Sequence, residues 1–139
     1  MTTTRNRKLF VNLPVRDLKR SVEFFTRLGF SFDPRFTDES ATCMLIGEDA
    51  YAMLMVQQRF KDFVKRPIAD SASATGAIFA LTASSRGEVD ELMQVVVDAG
   101  GSPAADPVDH GFMYVRSFYD LDGHHWELFY MDMSAMPQE

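Results

Sequence analysis

The residues best suited to chemistry in this sequence lie near its C-terminal end. Residues 120–130 read Asp-Leu-Asp-Gly-His-His-Trp-Glu-Leu-Phe-Tyr, with the carboxylate Glu127 in the middle of an aromatic run. A charged group in a half-buried strand is costly unless it is paired, binds a metal or faces a wet cavity. Because side chains alternate along a strand, His125, Glu127 and Phe129 should share one face. Glu127 is therefore the first candidate for a catalytic or ligand-binding residue.

A divalent metal is one use for this carboxylate. His125 lies two residues before Glu127, and His110 stands in a loop before the preceding strand. Histidine and carboxylate suit a divalent transition metal, so these three side chains form a possible ligand set for Ni, Zn, Mn or Fe. The alternative is that His124 and His125 are solvated residues beside the Gly123 turn. His110 stays a candidate ligand-binding residue in either case.

An arginine partner is another use for Glu127. Arg116 and Tyr114 lie on the strand before the Asp120–Gly123 turn, which should join two neighbouring antiparallel strands. We predict that Arg116 pairs with Glu127 and either orders the sheet or, with Tyr114, orients a polar ligand group. Glu127 could also act as a general base. Asp120 and Asp122 are predicted to form the turn itself.

The elements that position these residues form two similar halves. In residues 8–57 the pattern predicts a strand, a helix capped by Asp17 and three more strands, at Lys8–Val15, Phe30–Phe36, Ala41–Ile46 and Tyr51–Gln57. In residues 76–131 the order is repeated, with a helix after Ser85 and strands at Ala77–Ala83, Ser102–Ala105, Phe112–Tyr119 and His125–Met131.

Two βαβββ modules define an α+β fold. Neither module can bury its sheet well alone, so we expect them to form one curved, mixed or mainly antiparallel sheet around a central trough. Residues 58–75 read as a short helix and a loop that act as a linker or lid. Residues 132–139 form a C-terminal tail, and residues 1–139 together form a single domain.

Composition limits the classes of function. A formal charge of −6 over 139 residues gives an acidic surface that should repel nucleic acid. No apolar stretch long enough for a signal or membrane segment follows residues 1–8, so we expect a cytoplasmic protein without membrane contact. The lone Cys43 stands in an apolar run and is interpreted as a buried structural thiol. Twelve Phe and nine Met suit either an adaptable core or an apolar ligand cavity.

The order of elements and two short motifs resemble the vicinal oxygen chelate superfamily, which includes glyoxalase I, the bleomycin resistance proteins and the extradiol dioxygenases. The first motif is Leu-Pro-Val-Arg-Asp-Leu-Lys-Arg-Ser with Leu-Gly-Phe after the helix, and the second is Asp-Leu-Asp-Gly-His-His-Trp-Glu-Leu. The resemblance covers Leu9–Met131 and is greatest to glyoxalase-like or bleomycin-resistance-like proteins. It implies the two-module fold and, as in many members, a homodimer.

The resemblance also implies positions for a metal. In metal-dependent members each module supplies one ligand from its first strand and one from its last, and the ion holds two substrate oxygens. Carried over to this sequence, these positions are Phe10, Met53, Ile78 and Glu127. Only Glu127 can bind the hard or borderline ions that these enzymes use. No cofactor is therefore expected, and a divalent metal at a relocated site is the alternative.

Two functions follow from the resemblance. The first is a binding protein of the bleomycin-resistance type, which holds a small, partly apolar organic ligand in the trough. The predicted ligand-binding residues are Phe10, Met53, Ile78, His110, Tyr114, Arg116, His125 and Glu127. The alternative is a lyase, isomerase or dioxygenase that acts on a small oxygenated substrate, with a relocated metal or with Glu127 as a metal-free base.

Overall fold

The computed structural model describes residues 4–137. The chain folds as two compact units, which meet between Ile68 and Ala69 in the sequence. The predictions for residues 1–8 and for the C-terminal tail also cover residues 1–3, 138 and 139. These five residues lie outside the part of the chain that the structure describes. No helix within residues 4–137 is long and apolar enough to cross a membrane.

The first unit is a four-stranded mixed sheet with one main helix. Its strands are β1 (Leu9–Val15), β2 (Ser31–Asp33), β3 (Ala41–Gly47) and β4 (Ala50–Val56), and its helices are α1 (Leu18–Arg27) and the short α2 (Gln57–Phe60). The strand order is β1-β4-β3-β2, in which only β1 and β4 are parallel. One face of the sheet is buried and carries Leu13, Val15, Met44, Ala52 and Leu54.

Local sequence explains where α1 begins and ends. The side chain of Asp17 accepts a hydrogen bond from the backbone N–H of Arg20 at 3.2 Å, which satisfies a free donor of the first turn. Gly29 follows the helix with a φ of +98°, a conformation that glycine adopts at little cost. Between these ends Phe24 and Phe25 are buried. The start and the stop predicted from the sequence are therefore confirmed.

The second unit is a five-stranded sheet with one long helix. Its elements are β5 (Ile78–Thr82), α3 (Arg86–Asp98), β6 (Ser102–Pro103), β7 (Val108–Asp109), β8 (Met113–Tyr119) and β9 (His125–Met131). The order is β5-β9-β8-β6, and β7 also pairs with β8. The β5–β9 pair is parallel and the others are antiparallel. Ser85 caps α3 by accepting a hydrogen bond from the N–H of Glu88 at 3.0 Å.

Residues 69–75, part of the predicted linker or lid, are anchored within the second unit. The hydroxyl of Ser71 donates a hydrogen bond to the carbonyl oxygen of Asp122 at 2.6 Å. Gly123 has a φ of +86°, and a Cβ there would clash with the carbonyl oxygen of Ser71 and lie 2.9 Å from the Cα of Ala72. The glycine thus allows this segment to pack against the turn before β9.

The predicted α+β class is confirmed, and two details differ from the prediction. The strand expected at Phe30–Phe36 ends at Asp33, because the Asp33 side chain accepts a hydrogen bond from the backbone N–H of Arg35 at 2.9 Å and starts a turn at Pro34. The two-residue strand β7 is too short to produce an alternating pattern, so it was not predicted. The single curved sheet around a trough stays a prediction.

Candidate functional site

The candidate site lies on the face of the second sheet that is turned away from α3. Register places Glu127 beside Ala80 on β5 and Ser117 on β8. His125 lies one pleat away, beside Ile78 and Tyr119. We call this surface the Glu127 face and define it by Ile78, Ala80, Thr82, Val115, Ser117, Tyr119, His125, Glu127 and Phe129. The alternation predicted for His125, Glu127 and Phe129 is confirmed.

The carboxylate of Glu127 has no hydrogen-bond or ion-pair partner within residues 4–137. The residue is half-buried, and its cross-strand neighbours are the methyl group of Ala80 and the hydroxyl of Ser117. An ionised carboxylate accepts up to about four hydrogen bonds, so this one depends on solvent or on a ligand. The position combines a charge with one apolar and one polar neighbour, and small-molecule sites likewise place a few polar groups among apolar ones.

The predicted pair between Arg116 and Glu127 is wrong. Arg116 lies opposite Leu128 in the β8–β9 register, and the next residue, Ser117, lies opposite Glu127. Because neighbouring residues of a strand point to opposite faces, Arg116 and Glu127 lie on opposite sides of the sheet. Arg116 instead donates a hydrogen bond to Asp90 on α3 at 3.0 Å. The prediction placed the partner of Glu127 on the correct strand, but the pairing is shifted by one residue in register.

Tyr114 accompanies Arg116 on the helix side of the sheet. Its hydroxyl donates a hydrogen bond to the same oxygen of Asp90 at 2.7 Å. This bond, together with that from Arg116, lowers the pKa of Asp90, and the Asp90 carboxylate in turn raises the pKa of Tyr114. Tyr114 and Arg116 therefore attach α3 to β8, and neither lies on the Glu127 face.

A second ion pair ties the start of α3 to β7. Arg86 donates hydrogen bonds to both carboxylate oxygens of Asp109, at 2.8 and 3.0 Å, and to the carbonyl oxygen of Gly111 at 2.8 Å. These bonds and the one from the N–H of Gly111 lower the pKa of Asp109 to about 2. Both cations of the second unit, Arg86 and Arg116, are thus engaged with carboxylates other than Glu127.

His125 brings a second unpartnered group to the Glu127 face. Its Nε2 atom is buried and makes no hydrogen bond within residues 4–137. The imidazole contacts the ring of Tyr119 edge-on, at 5.4 Å between ring centroids. Buried polar atoms are almost always hydrogen-bonded, so an orphan next to an unpaired carboxylate indicates a binding position.

The relocated metal site is not assembled. His110 donates its backbone N–H to Met113, and Met113 lies opposite Met131, four residues beyond Glu127 and roughly 13 Å away along β9. His110 is therefore far from both His125 and Glu127. In the part of the chain that the structure describes, no three His, Cys, Asp or Glu residues form a group that could hold a metal ion.

The four positions implied by the resemblance are structurally equivalent in the two units. Phe10 and Ile78 lie on the first strand of their modules, and Met53 and Glu127 lie on the last strand, two residues beyond the partner of the first. The Phe10 ring stacks on that of Tyr51 with centroids 4.5 Å apart, and the Ile78 side chain is 52% exposed. This set offers one ionic ligand and therefore does not fit a catalytic divalent metal.

The first sheet places Phe10 and Met53 on the face opposite its buried one, together with Tyr51 and Cys43. Cys43 is buried, as predicted, and burial raises the pKa of its thiol. Its ionised, reactive form is therefore disfavoured. The same face also carries the polar side chains of Asn12, Ser31 and Asp33.

The Asp120–Gly123 turn is confirmed and is more heavily bonded than predicted. Asp120 is buried and accepts hydrogen bonds from the backbone N–H groups of Asp122 and His124, at 2.9 and 3.0 Å, and from the indole N–H of Trp126 at 2.9 Å. Burial raises the pKa of Asp120. The turn thus fixes the start of β9, on which His125 and Glu127 lie.

The acidic side chains are concentrated in the second unit, and this signal is present in the sequence alone. Residues 1–68 carry twelve of the fourteen Lys and Arg and eight of the twenty Asp and Glu, and residues 69–139 carry the other two and twelve. The unit that holds Glu127 therefore has a formal charge of −10, although the whole chain has only −6.

Comparisons with solved structures define the fold. A hypothetical protein from S. aureus is 26% identical, with a TM-score of 0.77 over 91% of this chain and 95% of its own. A glyoxalase-related enzyme from Fulvimarina pelagi is 21% identical, with a TM-score of 0.76 over 91% and 88%. A glyoxalase/bleomycin resistance protein/dioxygenase from Nocardioides is 23% identical, with a TM-score of 0.71 over 99% and 91%. The chain has the glyoxalase/bleomycin-resistance fold.

The sequence itself gives a more specific match. Residues 7–47 match the family model described as bleomycin resistance protein-like N-terminal. This segment includes β1, α1, β2 and β3, and thus the first of the two motifs on which the resemblance rests. A comparison with curated protein sequences found no significant match. The predicted resemblance to the bleomycin resistance proteins is therefore confirmed in sequence for residues 7–47, and the solved structures confirm the fold.

Proposed function

We propose that this protein binds a small, partly apolar organic ligand on the Glu127 face, without a catalytic metal. The observation that carries the proposal is that the Glu127 carboxylate has no partner within residues 4–137 and lies on a face that mixes polar with apolar and aromatic side chains. Ile78, 52% exposed, and the half-buried Phe129 provide apolar contact area beside it. Burial of that area would supply most of the affinity, and the polar groups would set the orientation.

The proposed binding residues differ from those predicted from the sequence. Tyr114 and Arg116 are left out because they bond to Asp90, and His110 is left out because it lies near Met113. Glu127, His125 and Ile78 remain, and Ser117 and Tyr119 join them through the β8–β9 register. Phe10 and Met53 stay predicted ligand-binding residues on the strength of the sequence.

A thermal-shift screen of small aromatic acids, alcohols and amines tests this proposal. A ligand that binds the folded state raises the midpoint of unfolding, and the rise increases with the logarithm of its concentration relative to the dissociation constant. We expect hits whose stabilisation is lost in Glu127→Gln and kept in Glu91→Gln, a matched change on the exposed face of α3. Hits that are unaffected by Glu127→Gln would contradict the proposal.

A metal-free lyase or isomerase is the second candidate, because an unpaired carboxylate beside His125 can also accept a proton from a bound substrate. A binding protein returns its hits unchanged, whereas an enzyme of this kind exchanges or removes a proton. Incubation of each hit in D2O, followed by NMR of the recovered compound, distinguishes the two. The homodimer and the cytoplasmic location stay predictions, and light scattering of the purified protein tests the first.

A further inference from the structure

We infer, on the basis of the proposed function, that the ligand is an organic cation whose N–H group binds Glu127. The sequence predicts an arginine partner for this carboxylate, and the structure leaves it without one within residues 4–137. A charge that its own unit does not neutralise can be neutralised by the ligand instead. The class of ligand is therefore an amine, an amidine or a guanidine attached to an apolar skeleton.

The second unit has no spare cation for Glu127. Its two arginines are Arg86 and Arg116. Arg86 binds both oxygens of Asp109, and Arg116 binds Asp90 from the opposite side of the sheet. If either arginine moved to Glu127, it would leave its present carboxylate without that ion pair. The number of ion pairs would therefore not increase.

His125 supports the same class of ligand. In the tautomer that is protonated at Nδ1, its Nε2 atom is an acceptor, and that atom is buried and unpartnered. Glu127 lies two residues away on the same face, roughly 6–7 Å between Cα atoms. In this tautomer His125 and Glu127 are two acceptors on one face that have no partner within residues 4–137, and they match a ligand that donates hydrogen bonds. A carboxylate or phosphate ligand would place further acceptors against them.

The net charge of the second unit also favours a cationic ligand. Residues 69–139 carry twelve acidic and two basic side chains, so the field of this unit taken by itself attracts cations and repels anions. The apolar part of the ligand would contact Ile78, Tyr119 and Phe129. Tyr119 and Phe129 are aromatic, and aromatic rings can attract a cation.

Matched triads of compounds test the inference, each triad being one aromatic skeleton that carries an amine, an alcohol or a carboxylate. Binding is measured by NMR titration of the isotope-labelled protein, and shifts in residues 78–82, 115–119 and 125–129 locate it on the Glu127 face. We expect each amine to bind at least about 10-fold more tightly than its alcohol, which corresponds to one charge-assisted hydrogen bond. In Glu127→Gln the amine and the alcohol should bind equally, and Glu91→Gln should keep the preference.

A second variant tests whether the effect of Glu127→Gln on binding is direct. Ala80 is exposed and directly beside Glu127 in register, so Ala80→Lys supplies a cation while Glu127 stays in place. We expect Ala80→Lys to remove the preference for amines and Ala80→Gln to keep it. Alcohols or carboxylates that bind this face as tightly as their amines would overturn the inference and leave the proposed function standing. Triads that bind nowhere on this face would overturn both.

Discussion

Arg116 and Asp90 form a 3.0 Å ion pair on the opposite side of the sheet from Glu127. Arg116→Met should therefore leave ligand binding on the Glu127 face unchanged. Because this pair is partly exposed, we expect the free energy of unfolding to fall by about 1 kcal/mol or less. Calorimetric titration of a screening hit and urea unfolding measure the two effects. Loss of binding as large as that in Glu127→Gln would show that Arg116 does act on the same ligand.

The ion pair between Arg86 and Asp109 predicts a pH dependence. The pKa of Asp109 falls from 3.8 to about 2 on folding, so the folded state favours the ionised carboxylate. Its contribution to stability is complete above pH 3.8 and is lost as the pH falls from 3.8 towards 2. The difference in free energy of unfolding between the wild type and Asp109→Asn should therefore shrink as the pH falls from about 4 to about 2.

Asp106→Asn provides the control for this pH dependence, since Asp106 is exposed and lies in the same loop region. Its difference from the wild type should be small and should not follow that of Asp109→Asn. A difference for Asp109→Asn that stays constant over this pH range would contradict the assigned pKa.

Gly123 and Gly111 give a matched test of the packing of Ser71. Both glycines have positive φ, +86° and +84°, but only a Cβ at Gly123 would meet other atoms. Gly111→Ala should cost about 1–2 kcal/mol of stability for backbone strain alone. Gly123→Ala should cost clearly more, because residues 71 and 72 must move away. Equal losses in urea unfolding would show that this segment is not held against the turn.

Asp120 should be the most important carboxylate for stability. Replacement by alanine leaves the indole N–H of Trp126 and two backbone N–H groups without their acceptor. Each unsatisfied buried donor costs about 1–3 kcal/mol, so we expect Asp120→Ala to lose at least about 3 kcal/mol. Trp126 is the single tryptophan, and its fluorescence reports the transition directly. A loss as small as that of Asp106→Ala would contradict this role.

Most of the fold could be predicted because local signals were strong. Asp17 and Ser85 are helix caps, Gly29 ends a helix, and residues 120–123 form a turn. Each of these features depends on only a few neighbouring residues. The strands with apolar runs were found to within one or two residues at most ends. The strand after Gly29 was extended too far because Pro34 was not treated as its end.

The candidate site was predicted less well, because it depends on register and on three-dimensional proximity. Tyr119 pairs with His125 across the turn, and counting from that pair gives Ser117, and not Arg116, as the neighbour of Glu127. His110 was grouped with Glu127 because it precedes the neighbouring strand, but it lies at the other end of that strand. Ala80 carries no chemical signal, and only the parallel pairing of β5 with β9 places it beside Glu127.

The most direct test of this account is a calorimetric titration of the tightest hit from the thermal-shift screen into the wild type, Glu127→Gln and Glu91→Gln. Removal of a carboxylate that contacts the ligand should weaken binding at least about 10-fold, while the change on α3 should have no effect. We predict that only Glu127→Gln raises the dissociation constant by this factor. Equal dissociation constants for all three proteins would show that the Glu127 face is not the binding site.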